Sequence, residues 1–300
     1  MYCEYYGLLK RPFEMTPDPS FLYLGEAHRE GLATLVYGVN SGKGFVMLTG
    51  EVGTGKTTLL HALLGQLEAS TTAAFIFNPR LEPLDFFLLL FEELGIEERC
   101  RTKAEYLLAL NRFLIKRLER SETTLLIVDE AQNLSTEMLE EIRLLSNLET
   151  PQSKLIQIML VGQPELKDLL ARAELRQLRQ RIGLRHHLRS FTQEETREYV
   201  QERLRKAGYT GGELFKKSAL RELYRWSGGT PRVINNLCDS ALLLGFSQDK
   251  KKLDGALMRQ AAEDLDLHLS GSEQGGVVDD EDGRESVRRR WGLLNRFRQA

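Results

Sequence analysis

The stretch GEVGTGKTT, Gly50 to Thr58, constrains this chain more than any other. It fits the pattern G-x-x-x-x-G-K-[ST], with Gly50, Gly55, Lys56 and Thr57 at the fixed places. The apolar run Phe45-Val46-Met47-Leu48 leads in, and Leu59, Leu60, Ala62, Leu63 and Leu64 supply a helical pattern behind it. A strand, a glycine-rich turn and a helix in that order are what a phosphate-binding loop requires. The chemistry is anion capture. Glycines let backbone N–H groups turn toward one point, the helix brings its positive end there, and Lys56 adds a full charge. Residues Gly50, Glu51, Val52, Gly53, Thr54, Gly55, Lys56, Thr57 and Thr58 are therefore expected to wrap a nucleoside triphosphate. The Thr57 hydroxyl is placed for a magnesium ion.

Length and charge limit what can surround that loop. Three hundred residues make one large domain or two smaller ones, and 42% apolar content is ample for a core. A net charge of −2 gives no global attraction to nucleic acid or anionic membrane, which leaves only local patches. Cys3, Cys100 and Cys238 are far apart and in no metal-ligand spacing, so reduced thiols of a cytosolic protein are expected. No apolar run approaches the roughly 18 residues of a membrane span. The longest, Phe86 to Phe91, stops at Glu92-Glu93. The opening MYCEYYGLLKRPF has an acid and early aromatics, unlike a signal peptide.

Along the chain, Pro12, Pro17 and Pro19 predict loop and turn over residues 1–24. A helix is predicted from Glu26 to Gly42, and after the phosphate loop a strand over Ala73 to Phe77, bounded by Asn78-Pro79. Helices follow over Leu84 to Leu94 and Lys103 to Arg120. Leu125 to Val128 and Leu155 to Val161 read as strands buried on both faces, separated by a helix with Ser135 as N-cap. A single helix is predicted from Pro164 to Ile182. Strands alternating with helices over 26–189 predict an α/β fold, a parallel sheet sandwiched by helices. Beyond Ser190 only helices are predicted. One is opened by a Thr192–Glu195 capping box, and another starts at Thr230-Pro231. From Ser270 the composition shifts to a GSEQGG linker, the acidic Asp279 to Asp282 and a basic end, RRRWGLLNRFRQA. That end could form a short amphipathic helix for a partner or a membrane surface.

Four further features carry chemistry. Asp129 closes the buried strand Leu125 to Val128, where an acid can hold the metal ion. Glu130 beside it can orient and deprotonate the attacking water, which makes the site a hydrolase rather than a kinase-like transferase. Gln163, after the strand Leu155 to Val161, could help position that water. Arg176, Arg179, Arg181 and Arg185 compete for the role of an arginine finger that reaches a neighbouring subunit's terminal phosphate. Arg232 stands in the first turn of a helix, unfavourable for a cation unless an anion is near, and the nucleotide's phosphates could be that anion.

Together these residues resemble AAA+ ATPases, in the branch of general secretion pathway protein A, its pilus-biogenesis relative and the ATPases of exosortase (PEP-CTERM) loci. The resemblance runs from residue 2 to about 268. It is carried by YYGLLKRPFEMTPDPSFLYLGEAHREGL, GKGFVMLTGEVGTGKTT, LLIVDEAQNL, LVGQPEL, LRQLRQRI and GGTPRVINNLCDSALL. It implies a P-loop AAA+ sheet domain over 1–190 with an N-terminal linker, a helical lid over 191–268 and a tail over 269–300. It further implies Walker A at Gly50 to Thr58, Walker B at Asp129 and Glu130, sensor 1 at Gln163, the finger at Arg181 with Arg179 second, and sensor 2 at Arg232. Gln163 stands where Asn, Ser or Thr is commoner. The ligands implied are ATP and Mg2+. A homo-oligomer, ring or nucleotide-dependent assembly, is implied, serving a secretion or envelope-assembly system from the cytoplasm or the inner membrane's cytoplasmic face. In secretion protein A a membrane span and a periplasmic peptidoglycan-binding module follow the ATPase. The present sequence has neither, so its soluble relatives are the expected match. A DNA-binding regulator of transposition is the alternative, kept open by the basic stretch Arg172 to Arg189.

Overall fold

The computed structural model describes residues 1–14, 21–77 and 82–267. Pro17, Pro19, Asn78-Pro79 and the tail from Ser270 lie outside the described residues. The chain begins with a short helix α1 (Tyr2–Tyr6), then α2 (Glu26–Asn40), β1 (Phe45–Gly50), α3 (Lys56–Gln66) and β2 (Thr71–Ile76). Next come α4 (Pro83–Leu94), α5 (Lys103–Glu119), β3 (Thr123–Val128), α6 (Thr136–Leu145) and β4 (Gln157–Gly162). After α7 (Glu165–Ala171), α8 (Arg176–Arg181) and β5 (Ile182–Leu188) the chain is helical: α9 (Gln193–Lys206), α10 (Lys217–Ser227), α11 (Pro231–Ser247) and α12 (Gly255–Asp264).

The five strands are parallel in the order β2-β3-β4-β1-β5. Strands β1 and β4 are buried at every residue, as uninterrupted apolar runs covered by helices on both faces must be. The order puts β4 between β1 and β3, with Thr49 opposite Gly162 and Val128 opposite Leu160. The carboxyl ends of β1, β3 and β4 therefore lie side by side, and the segments leaving them converge on one crevice, the usual ligand position in such sheets.

Two local expectations change. The predicted helix Pro164 to Ile182 is broken into α7, a 3-10 turn over Ala173–Leu175 and α8, and it ends in a fifth strand. Strand β5 is at the sheet edge, paired with β1 alone, and packs against α2 on one face. Only its ends, Ile182 and Leu188, are buried, while Gly183, Arg185 and His187 are exposed, so the strand lacks the apolar run of its neighbours. At the amino terminus, Tyr2 to Tyr6 is helical rather than loop. Tyr2 and Tyr6, four apart, are buried, and the Tyr6 hydroxyl donates to the Lys250 carbonyl at 3.0 Å.

A separate hydrophobic cluster holds the helical region together, and the first residues of the chain are part of it. Tyr2, Tyr6, Leu8, Phe13 and Phe21 are buried with residues of α9 to α12. Phe13 meets Phe215 edge-on with centroids 6.1 Å apart. The Arg203 guanidinium lies 4.7 Å over the Phe21 ring and donates to the Pro12 carbonyl and, at 3.3 Å, to the Glu14 carbonyl. The caps read from sequence are in place: Thr192 accepts from the Glu195 N–H and Ser135 from the Met138 N–H. Cys3, Cys100 and Cys238 are unpaired. No helix among the described residues is long and apolar enough to cross a membrane.

Candidate nucleotide site

Between β1 and α3 the chain makes the tight turn its glycines permit. Gly53 has φ +78° and Gly55 φ +97°, a left-handed backbone that L side chains rarely adopt. The Thr54 hydroxyl donates to the Glu51 carbonyl at 2.8 Å and ties the turn across its mouth. Lys56, the first residue of α3, is buried. Its Nζ donates to the carbonyls of Gly50 at 2.7 Å and Glu51 at 3.1 Å. Burial lowers the Lys56 pKa, while the negative charges of Glu130, Asp129 and Glu51 work the other way. Thr57 and Thr58 stand half-buried on the first turn of the helix. From the other side, His28 of α2 is buried against the loop, with Nε2 3.0 Å from the Thr54 carbonyl.

The end of β3 brings two carboxylates to the same crevice. Asp129 is only 6% exposed and its pKa is raised to about 6, first by burial and then by the charge of Glu130. Burial and the like charge of Glu130 thus outweigh the opposing charge of Lys56 at this carboxyl. One Asp129 oxygen accepts the Glu130 N–H at 2.8 Å. Glu130 itself has φ +53°, a strained value for a residue with a side chain. Its Oε2 accepts from the Gln163 amide at 3.3 Å and from the Gln132 amide at 2.6 Å.

The expected site residues divide into those brought together and those held apart. The loop Gly50 to Thr58, Asp129, Glu130 and Gln163 converge. Arg232 joins them from α11: its backbone N–H donates to the Gly53 carbonyl at 3.2 Å, while its side chain is exposed. Arg181 is turned inward and donates to the Ser146 hydroxyl and, at 3.4 Å, to the Arg143 carbonyl at the end of α6. Arg179 is exposed on the same short helix. Sequence reasoning missed Gln132 and His28. Gln132 lies inside LLIVDEAQNL, but only the 3-10 turn Ala131–Asn133 folds its side chain back to Glu130, and no residue spacing announces such a turn. His28 lies far from the loop in sequence, and only the packing of α2 makes them neighbours.

Comparison with known proteins follows the same lines. A family model described as an AAA domain matches residues 39–170. General secretion pathway protein A of Aeromonas hydrophila is 41% identical over 280 residues, which is 93% of this chain and 51% of that protein. An AAA domain is thus recognised over residues 39–170, and the chain is similar along most of its length to general secretion pathway protein A. It spans about half the length of that curated relative. Among solved structures, the ORC2 protein of Aeropyrum pernix matches with TM-score 0.63 and 19% identity over 88% of this chain and 73% of its own. Cdc6p of Pyrobaculum aerophilum matches with TM-score 0.65 and 17% identity over 86% of this chain and 73% of its own. The origin recognition complex of Drosophila, solved bound to DNA, gives 0.64 and 18% over 86% and 65%. At these identities the AAA+ fold is what is shared: a parallel sheet between helices, followed by a small helical lid.

Proposed function

We propose that this AAA+ chain hydrolyses ATP to ADP and phosphate, and that the cycle serves a protein-secretion or envelope-assembly complex. The observation that carries the chemistry is the Glu130 carboxylate, held by two amides at the crevice that the phosphate loop and Asp129 share. The backbone N–H groups of Gly53 to Thr58 and the start of α3 bind the phosphates, and Lys56 exchanges the Gly50 and Glu51 carbonyls for phosphate oxygens. Thr57 and Asp129 would hold Mg2+, which supplies neutralising charge on the phosphate oxygens. Glu130 takes the proton of a water as its oxygen bonds to the terminal phosphorus and the bond to the bridging oxygen of ADP breaks. Gln163 shares in holding that carboxylate. Arg232, from the lid, lies where it can reach the phosphates.

For the arginine finger the geometry favours Arg179, exposed on α8, over the inward Arg181. Such a finger works only in an assembly, so a homo-oligomer is part of the proposal. The domain limits proposed are 1–190, 191–268 and 269–300, with the amino-terminal residues packed into the lid's core. The relative's name supports the secretion role, and the proposed use of ATP fits a place at the cytoplasmic face of the inner membrane. A DNA-handling role is the second reading, favoured by exposed Arg172, Arg176 and Arg179. The test of the central reading is paired. Lys56→Ala should abolish ATP binding, and Glu130→Gln should keep binding while turnover falls about a hundredfold or more. Glu130→Gln turning over at the wild-type rate removes the assignment. Tight duplex-DNA binding with a steep salt dependence would replace the secretion role.

A further inference from the structure

Gln132 is the residue at the site for which neither motif nor fold gives a role, and its amide works with both ends. The Nε2 group donates to Glu130 Oε2 at 2.6 Å, and Oε1 accepts the Gln163 backbone N–H at 3.0 Å. A single side chain thus spans from the carboxylate at the end of β3 to the backbone at the end of β4. Among the described residues Glu130 Oε2 receives both amide donors, from Gln132 and Gln163, and Oε1 receives none. One oxygen is therefore anchored and the other is left for water. The backbone is shaped for this contact. A Cβ on Gly162 would stand 2.5 Å from Gln132 Oε1, so a side chain there would push the amide aside. The positive φ of Glu130 and the 3-10 turn over Ala131–Asn133 are what bring residue 132 back over residue 130.

We infer that Gln132 is a positioning residue that fixes Glu130 in its water-facing orientation and ties that orientation to the end of β4. This rests on the proposed hydrolysis and deepens it. The connection also has a direction, because Gln163 leads through Pro164 into α7 and on to α8, which carries Arg179. A shift of those helices moves the Gln163 N–H, and with it the amide that anchors Glu130. The charged groups around Glu130 are Asp129 and Lys56, and neither contacts Gln132. The two bonds of the amide run to the Glu130 carboxylate and to the Gln163 backbone.

The experiment measures phosphate release, binding of a fluorescent ATP analogue and thermal melting for four proteins besides wild type. Gln132→Met keeps the side-chain length without the amide. It should lower kcat about tenfold or more, with KM, nucleotide binding and melting temperature unchanged within about twofold and a few degrees. Gly162→Ala, which leaves Gln132 in place but drives its amide away, should lower kcat in the same sense. In the Glu130→Gln background, adding Gln132→Met should cost almost nothing further, because the group that Gln132 is inferred to orient is the Glu130 carboxylate. Wild-type kcat in Gln132→Met overturns the inference and leaves the hydrolysis reading standing. The same holds if the double variant falls a further tenfold below Glu130→Gln. A wild-type protein that releases no phosphate overturns both.

Discussion

The Arg232 backbone N–H donates to the Gly53 carbonyl at 3.2 Å, so the first turn of a lid helix rests directly on the phosphate loop. The approach is close enough that a Cβ on Gly53 would lie 2.7 Å from the Arg232 Cβ. The lid and the loop are one structural unit at this point. Whatever changes the loop's shape is felt at α11.

Substitutions at these two positions should behave differently. Gly53→Ala meets both a φ of +78° and the collision with Arg232, so it should weaken nucleotide binding at least tenfold and lower the melting temperature. Arg232→Ala keeps the backbone N–H and removes only the exposed guanidinium. Turnover should fall about tenfold or more while stability is unchanged. Isothermal titration with ATP and a thermal melt of each variant separate the two outcomes.

Arg181 and Arg179 should also part company. Arg181 is half-buried and bonded to the Ser146 hydroxyl and the Arg143 carbonyl, so Arg181→Ala should cost stability, about 1–3 kcal/mol, chiefly by leaving the buried Ser146 hydroxyl oxygen without a donor. Arg179→Ala should melt like wild type and lose turnover, most strongly at protein concentrations where subunits associate. Chemical denaturation and concentration-dependent phosphate release read the two effects. Equal melting losses in both variants would sink the distinction.

The junction of sheet and lid carries a pH dependence. Glu195 of α9 accepts from Arg189 at 2.6 Å and from the backbone N–H groups of Thr192 and Glu26, each at 2.8 Å. Burial alone would raise its pKa, but these donors outweigh it and bring the carboxyl from 4.5 down to about 2. A carboxyl whose folded pKa lies below its unfolded one stabilises the fold above the unfolded value. That stabilisation is lost as pH falls toward the folded one. Glu195→Gln should therefore lower the melting temperature at pH 7, and the gap to wild type should close between about pH 4.5 and pH 2. Melts across that range check it.

The amino-terminal residues should be indispensable to the helical region. Phe13 is 1% exposed and packs against Phe215. Phe13→Ala should cost about 3–5 kcal/mol, in the range of buried aromatic truncations. Tryptophan fluorescence of Trp226, on α10, follows the loss under urea. A variant as stable as wild type would show that this segment merely lies on the lid.

By itself the sequence determined most of the elements and which residues are candidates for the site. GEVGTGKTT needs a strand before it and a helix behind it, and the short apolar runs of β1, β3 and β4, rich in β-branched residues and bounded by polar or glycine residues, read as strands covered on both faces. Caps such as Ser135 and the Thr192–Glu195 box were legible because they are local, decided within four residues. What the tertiary structure decided was long-range or required a backbone turn without a signature. Strand β5 escaped detection because it buries only its ends, Ile182 and Leu188, and so carries no apolar run. The tyrosines of α1 gave no sign that they serve the lid, since their partners lie more than 200 residues away. The same holds at the site. Asp129 and Glu130 were read from their strand, but the amide that holds Glu130 comes from Gln132, placed there by a positive φ and by the absence of a side chain at Gly162. Phosphate capture is a property of a short loop and so is written in consecutive residues. The aim of the Glu130 carboxylate depends on the ends of β3 and β4 meeting, and no stretch of sequence contains that meeting.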